Sequence, residues 1–172
     1  MNENRKTIEE NNVHKVEGFA YSTYDDALIG SASRFDYTKP RAVYDFNTVL
    51  EIIEKYNKTD TSKETAITNF IKDGILLKVD SATGDFWDRV VEEKAVVWEH
   101  FNNCIEGAVI CSNNPEVLLY NYYACMEVAF DLQEDSDKTE QENTREVIEW
   151  FDNNIINANV GPTTPYILSP IL

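Results

Sequence analysis

The side chains of this chain that could do chemistry are few, and the densest group of them surrounds His100. His100 and Cys104 lie four residues apart, so a helix would put both on one face, and Cys111 and Cys125 would complete a Cys3His set of the kind that holds zinc. The spacing speaks against that reading: no CxxC pair occurs, and all three cysteines stand in apolar surroundings, where Cys behaves as a small hydrophobe. Used as nucleophile and base, the same residues would need a thiol in a polar, partly open pocket, whereas the pattern puts it on a buried face. His14, the other histidine, sits in a polar N-terminal stretch. A calcium loop fails too, because in DSATGDF only Asp80 and Asp85 offer carboxylates and the EF-hand order of ligands is missing. No phosphate loop, dinucleotide fingerprint or hydrolase elbow is present. Glu142 and Glu146 lie four apart on a predicted helix, but such a pair is better explained as a solvated face than as an acid/base dyad. The sequence therefore predicts a protein that is not an enzyme, with no catalytic residue, no metal and no cofactor.

The elements that would position these residues are read from apolar spacing. The stretch Phe86–Glu134 holds all three cysteines and two of the three tryptophans, and from Val117 to Leu132 it is apolar on nearly every side. That predicts a central helix from Pro115 to Leu132, surrounded by other elements. Before it, Trp87, Val90, Val91, Val97, Trp98, Phe101, Cys104 and Ile105 keep three-and-four spacing, which predicts a helix from Asp85 continuing through Gly107 to Cys111. Asp45 is placed to cap a helix through Phe46, Val49, Leu50, Ile53 and Tyr56. Thr61 and Glu64 fit a capping box for a second, with Ala66, Ile67, Phe70 and Ile71 inward and Asp73-Gly74 as its stop. Ile75–Val79 is too short an apolar run to assign to strand or helix. Thr144, Val147, Ile148, Phe151 and Ile155 line one face of a last helix. Ahead of Asp45, short extended pieces are expected at Phe19–Tyr24 and Arg41–Tyr44, around a helical or loop stretch. The expected fold is mainly α, a four- to five-helix domain with a small extended or β portion near the N-terminus and an extended C-terminal arm. Residues 1–15 read as a loose N-terminal arm, 16–159 as a single domain and 160–172 as the second arm.

At 172 residues the chain is long enough for one domain with its own core. Its charge is unevenly placed: residues 1–78 hold 11 Lys and Arg against 13 Asp and Glu, a net of −2, and residues 79–172 hold 4 against 18, a net of −14. Such a surface repels phosphate backbones and anionic headgroups, so neither nucleic acid nor membrane is expected as a direct partner. Three irregular cysteines, a charged start in place of an apolar signal region, and no apolar run near about 20 residues predict a cytoplasmic protein, or one assembled into a virion made there.

The final stretch, VGPTTPYILSPIL, breaks every pattern, with three prolines in thirteen residues and no charged side chain. An apolar extended segment must lie in a groove, of its own domain or of another molecule. Pro162, Pro165, Tyr166, Ile167, Leu168, Pro170, Ile171 and Leu172 are the expected partner-binding residues. Two functions follow. The first is a structural interaction protein, an adaptor or ring-type subunit of a larger assembly, for instance a phage virion connector, docking other protein subunits or its own copies through its terminal arms. The second is an acidic inhibitor that imitates nucleic acid, with nine acids between Asp131 and Asp152 set against Lys138 and Arg145.

Overall fold

The computed structural model describes residues 2–72, 75–80, 96–110, 117–133 and 135–171. The stretch expected to be a loose N-terminal arm contains a docked helix, α1 (Glu3–Asn11), started by the Asn2 side chain, which accepts from the Asn4 N–H. Ile8 buries it against the body, and its Arg5 reaches the Asp25 carboxylate at 2.6 Å. A 3-10 turn, Ser22–Ala27, leads into β1 (Leu28–Ser33), which returns as β2 (Arg41–Asp45). Asp45 ends that strand and caps the next helix: its carboxylate accepts from the Thr48 N–H at 2.9 Å and starts α2 (Phe46–Tyr56), as its spacing predicts. α3 (Asp60–Lys72) begins one residue before the expected box, held by Thr59, whose hydroxyl accepts from the Ser62 N–H. β3 (Leu76–Asp80) settles the ambiguous run as strand.

The second half repeats this order. A 3-10 turn, Glu99–Cys104, is followed by β4 (Ile105–Ile110), β5 (Val117–Asn121), α4 (Tyr122–Gln133), α5 (Glu140–Phe151) with a π-turn over Asp152–Ile156, and β6 (Tyr166–Pro170). The six strands close into a barrel in chain order. In each half an antiparallel hairpin is followed by a two-helix crossover to a parallel strand, the connection that parallel pairing requires. The register repeats as well. Leu28 faces Tyr44 and, after a bulge, Gly30 faces Val43; Ile105 faces Tyr120 and, after a bulge, Gly107 faces Leu119. At the two seams between halves, Gly30 faces Pro170 and Gly107 faces Asp80. Among the described residues the two halves thus repeat one order of elements, 3-10–β–β–α–α–β, in matching register.

Burial alternates along the strands as a barrel wrapped in helices requires. One cluster takes residues from all six strands, among them Ala32, Val43, Leu76, Val109, Leu119 and Leu168, and fills the interior. The outward residues Ala42, Tyr44 and Leu77 pack under α1, α2 and α3, and Leu118, Tyr120 and Ile167 pack under α4 and α5. These wall positions are almost solvent-free, each large side chain stabilising the fold by about 1.5–3 kcal/mol.

The barrel overturns the expected mainly α domain. Val117–Asn121, read as the first turns of a central helix, is strand, and Ile105–Ile110, read as the end of another, is strand too. Both are covered on two faces, so they read as continuous apolar runs without the alternation of a half-exposed strand. Phe19–Tyr24 is not a strand: its end, from Ser22, lies in the 3-10 turn, and the strand comes later, at Leu28–Ser33. On α5 the inward positions are Asn143, Val147 and Phe151, whereas Ile148 faces out. Asn143 is accommodated because its carboxamide both donates to and accepts from the Asp135 backbone. The expectations for 81–95 lie outside the described residues.

Candidate binding cleft

Each half builds the same corner between its 3-10 turn, its second strand and its helices. The buried Tyr44 hydroxyl accepts from the Ala20 N–H at 2.8 Å, and the buried Tyr120 hydroxyl accepts from the Trp98 N–H at 3.0 Å. Burial pushes both hydroxyls up to about 12. The turns match, with the Tyr24 N–H donating to the Tyr21 carbonyl and the Phe101 N–H to the Trp98 carbonyl. The halves part company in what fills the corner. Trp98 lays its indole 4.9 Å from the Tyr120 ring. Tyr21, in register with Trp98 through the turn, is 84% exposed, and Ala20, in register through the hydrogen bond to the strand tyrosine, has only a methyl group. Beside this corner lies a cleft of ≈ 390 Å³, walled by Phe19, Ala20, Tyr24, Ala66, Phe70 and Ile75, with Gly18, Tyr21 and Asn69 at its lining; Tyr44 does not line it and is met by the Phe70 ring.

Its walls are set rigidly. Phe70, turned inward by α3, meets Tyr24 edge-on at 4.5 Å and Tyr44 at 5.8 Å, and Ala66 and Asn69 follow at helical spacing. The Arg5 guanidinium stands 4.6 Å from the Phe19 ring centroid and donates to the Ala20 carbonyl, fixing the other wall. No lining side chain is charged. The ionisable lining groups are the tyrosines, and burial raises the Tyr24 hydroxyl. The cleft can therefore bind an apolar or aromatic group, and it holds no acid or base suited to proton transfer near neutral pH.

The residues singled out by sequence are dispersed. Cys104 and Cys125 do meet, buried and thiol to thiol, with burial raising both. Their counterparts in the first half are Ala27 and Val49, which marks the pair as core filling. His100 and His14 are exposed, and Cys111 and Asp85 lie outside the described residues. Among the described residues, no group of three or more His, Cys, Asp or Glu could hold a metal. Glu142 and Glu146 have separate partners: Glu142 accepts from the Thr139 N–H and hydroxyl in a capping box, and Glu146 lies 2.6 Å from Lys138.

The C-terminal segment docks on its own domain. Tyr166, Ile167 and Leu168 are at most 2% exposed within β6, which lies between β1 and β5. Pro165 is buried before it, Pro170 is half-buried at its end and Ile171 half-buried after it. Pro162 is exposed and gives its carbonyl to the buried Arg34, which also donates to the Tyr166 hydroxyl at 2.9 Å. Leu172 lies outside the described residues. A strand can hold this proline-containing segment because Pro170 stands at its end. Another polar cluster, at one mouth of the barrel, is also internally satisfied: Glu106 takes Asn121 at 2.7 Å on one oxygen and Lys78 at 3.3 Å on the other.

The structure is a helix-wrapped, six-stranded barrel of two like halves, with an uncharged cleft at the first of them. No protein-family model, curated protein or solved structure matches the chain. A sequence signal for this organisation exists in the internal repeat. Tyr24-Asp25-Asp26-Ala27-Leu28-Ile29-Gly30 stands against Phe101-Asn102-Asn103-Cys104-Ile105-Glu106-Gly107, and Val43-Tyr44-Asp45-Phe46 against Leu119-Tyr120-Asn121-Tyr122. Aligning the two would have set Tyr21 and Trp98 side by side.

Proposed function

We propose that the protein is a non-enzymatic interaction protein, an adaptor or subunit of a cytoplasmic protein assembly, which holds its partner at the cleft of its N-terminal half. The supporting observation is the difference between the halves. What both copies share, the bulge glycines, the strand tyrosines and the helix caps, serves the fold, whereas an open aromatic corner in one copy answers no need of the fold. Aromatic and apolar walls of this kind, partly exposed at Phe19, Ala20, Tyr24 and Ala66 and buried at Phe70 and Ile75, fit the partner-anchoring pockets of protein interfaces. The terminal arms no longer support docking in trans, since α1 and β6 belong to the body.

The acidic-mimic reading keeps one observation in its favour. α5 carries Glu140, Glu146 and Glu149 outward beside Ile148, which is 39% exposed, and the counterpart helix α3 carries Lys63 and Lys72 as well as acids. The two readings separate in one experiment: affinity isolation from the source cells with the wild type, with Ala66→Arg across the cleft, and with Glu140, Glu146 and Glu149 changed to Lys. The interaction reading expects a stoichiometric protein partner retained by the wild type and by the charge reversal but lost from Ala66→Arg. Retention by Ala66→Arg with loss on charge reversal replaces it with the mimic.

A further inference from the structure

One wall of the cleft is held by α1. Phe19 and Ala20 stand in that wall, and the Arg5 guanidinium lies 4.6 Å from the Phe19 ring centroid and donates to the Ala20 carbonyl at 2.8 Å. The same guanidinium donates to one carboxylate oxygen of Asp25, from Nε at 3.0 Å and from a terminal nitrogen at 2.6 Å. Asp25 is 1% exposed and its other oxygen is buried without a partner, whereas Asn102, its counterpart in the second half, is exposed. α1 packs over the turn that carries Asp25, with Asn4 donating to the Asp25 carbonyl and Asn2 to the Asp26 carboxylate. The helix that brings the counter-ion is therefore also the cover over the carboxylate, and the burial and pairing of Asp25 come and go together. With α1 lifted, water reaches both oxygens, so the one left unsatisfied in the docked state offsets part of what the ion pair contributes. Ile8 is the one buried residue of the helix, and Val13, His14 and Lys15, which join it to the body, are exposed. A helix with one apolar anchor and an exposed linker opens at a free energy well below that of global unfolding.

Building on the reading of the cleft as the partner site, we propose that α1 is a releasable strap that governs this site through Arg5. Docked, it fixes Phe19 and Ala20 and the wall is formed; lifted, it takes Arg5 away and the wall loses its support. Arg5 is thus a positioning residue, acting on the partner through Phe19 and Ala20. The coupling is reciprocal: a partner in the cleft holds α1 down, and whatever draws α1 away weakens the partner's hold.

The test is amide hydrogen exchange of the full chain, with the second half as internal control. The Ala20 and Trp98 N–H groups donate to equivalent tyrosine hydroxyls and the Tyr24 and Phe101 N–H groups close equivalent turns, but α1 straps only the first of each pair. Wild-type α1 amides are expected to exchange at least about a hundredfold faster than those of Leu118–Tyr120. Arg5→Gln raises exchange at Ala20 and Tyr24 by about tenfold or more and leaves Trp98 and Phe101 unchanged. Glu9→Gly, at an exposed position of α1 away from the cleft, weakens the helix alone, so it raises the same two amides by about twofold to fivefold and covers the case in which Arg5→Gln does not fold. A purely local role of Arg5 would leave Ala20 and Tyr24 unmoved in Glu9→Gly. That result, α1 amides exchanging no faster than the strands, or equal rises at Trp98 and Phe101 overturns the proposal. Affinity for the natural partner falls by about tenfold or more in Arg5→Gln. A partner lost from Ala66→Arg but held at full affinity by Arg5→Gln overturns the strap and leaves the partner site standing. The expected exchange pattern in a protein whose partner is retained by Ala66→Arg keeps the strap and removes the interaction reading.

Discussion

Tyr44 and Tyr120 do the same work in the two halves, each buried between a strand and its helices and each satisfying one backbone N–H. Phenylalanine keeps the packing and leaves that N–H without its acceptor. Tyr44→Phe and Tyr120→Phe should each lower stability by about 1–3 kcal/mol in urea unfolding, with no change in the slope. The same burial sets a pH dependence. Both hydroxyls are raised from 10.0 to about 12, so the folded chain holds these protons more tightly than the unfolded chain does. Their contribution is complete below about pH 10 and is lost as pH rises through about 12. Ultraviolet titration should show these two phenolates appearing late, together with unfolding; nine tyrosines ionising together near pH 10 would contradict their burial. The glycines of the bulges are as constrained. A Cβ on Gly30 would lie 2.3 Å from the Ser169 carbonyl oxygen and one on Gly107 2.4 Å from the Val79 carbonyl oxygen, and Gly107 holds φ +147 besides. Gly30→Ala and Gly107→Ala should each cost more than about 2 kcal/mol, because backbone at a barrel seam cannot move aside, and a wild-type urea midpoint for either would refute that close approach. Trp98 reads from sequence as one more apolar helical position, because its ring contact with Tyr120 follows from a 3-10 turn and a strand that local spacing does not announce.

At the scale of elements, the parts legible in the sequence were those with one exposed face. α2 is marked by Asp45 and its apolar stripe, and α5 by the change from EDSDKTEQEN to an amphipathic pattern. The strands β4 and β5 were not legible because barrel interior and helix layer cover both their faces, which erases the two-residue period. β6 was legible as an extended apolar segment needing a groove, but its groove is the gap between β1 and β5, and nothing local announces a pairing across more than 130 residues, as at Ser33 and Ile167. Two predictions belong here. Asp45→Ala and Asn121→Ala remove equivalent helix-starting acceptors, for Thr48 and Ala124, so each should cost about 1 kcal/mol by thermal denaturation. Deleting residues 160–172 opens the barrel and uncovers two strand edges, so the shortened chain should lose its cooperative melting transition. A truncated chain that melts as the full one does would mean that β6 is dispensable.

For the molecule as a whole, and among the described residues, closure of the barrel leaves no strand edge for a partner to extend, and no helix is long and apolar enough to cross a membrane. Charge and shape then divide between the halves, with the excess acid in residues 79–172 and the uncharged cleft in the first unit. If the cleft takes the partner, affinity should change by less than about tenfold between 50 mM and 500 mM salt, whereas an acidic surface imitating phosphates would lose about a thousandfold or more. The measurement that bears most directly on function residing where the two copies differ is amide hydrogen exchange on the complex with the natural partner. Binding at the open corner predicts new protection over Phe19–Tyr24 and Ala66–Phe70, with Val97–Phe101 and Glu140–Glu149 exchanging as in the free protein. Protection over Val97–Phe101 or Glu140–Glu149, with Phe19–Tyr24 unchanged, would contradict it.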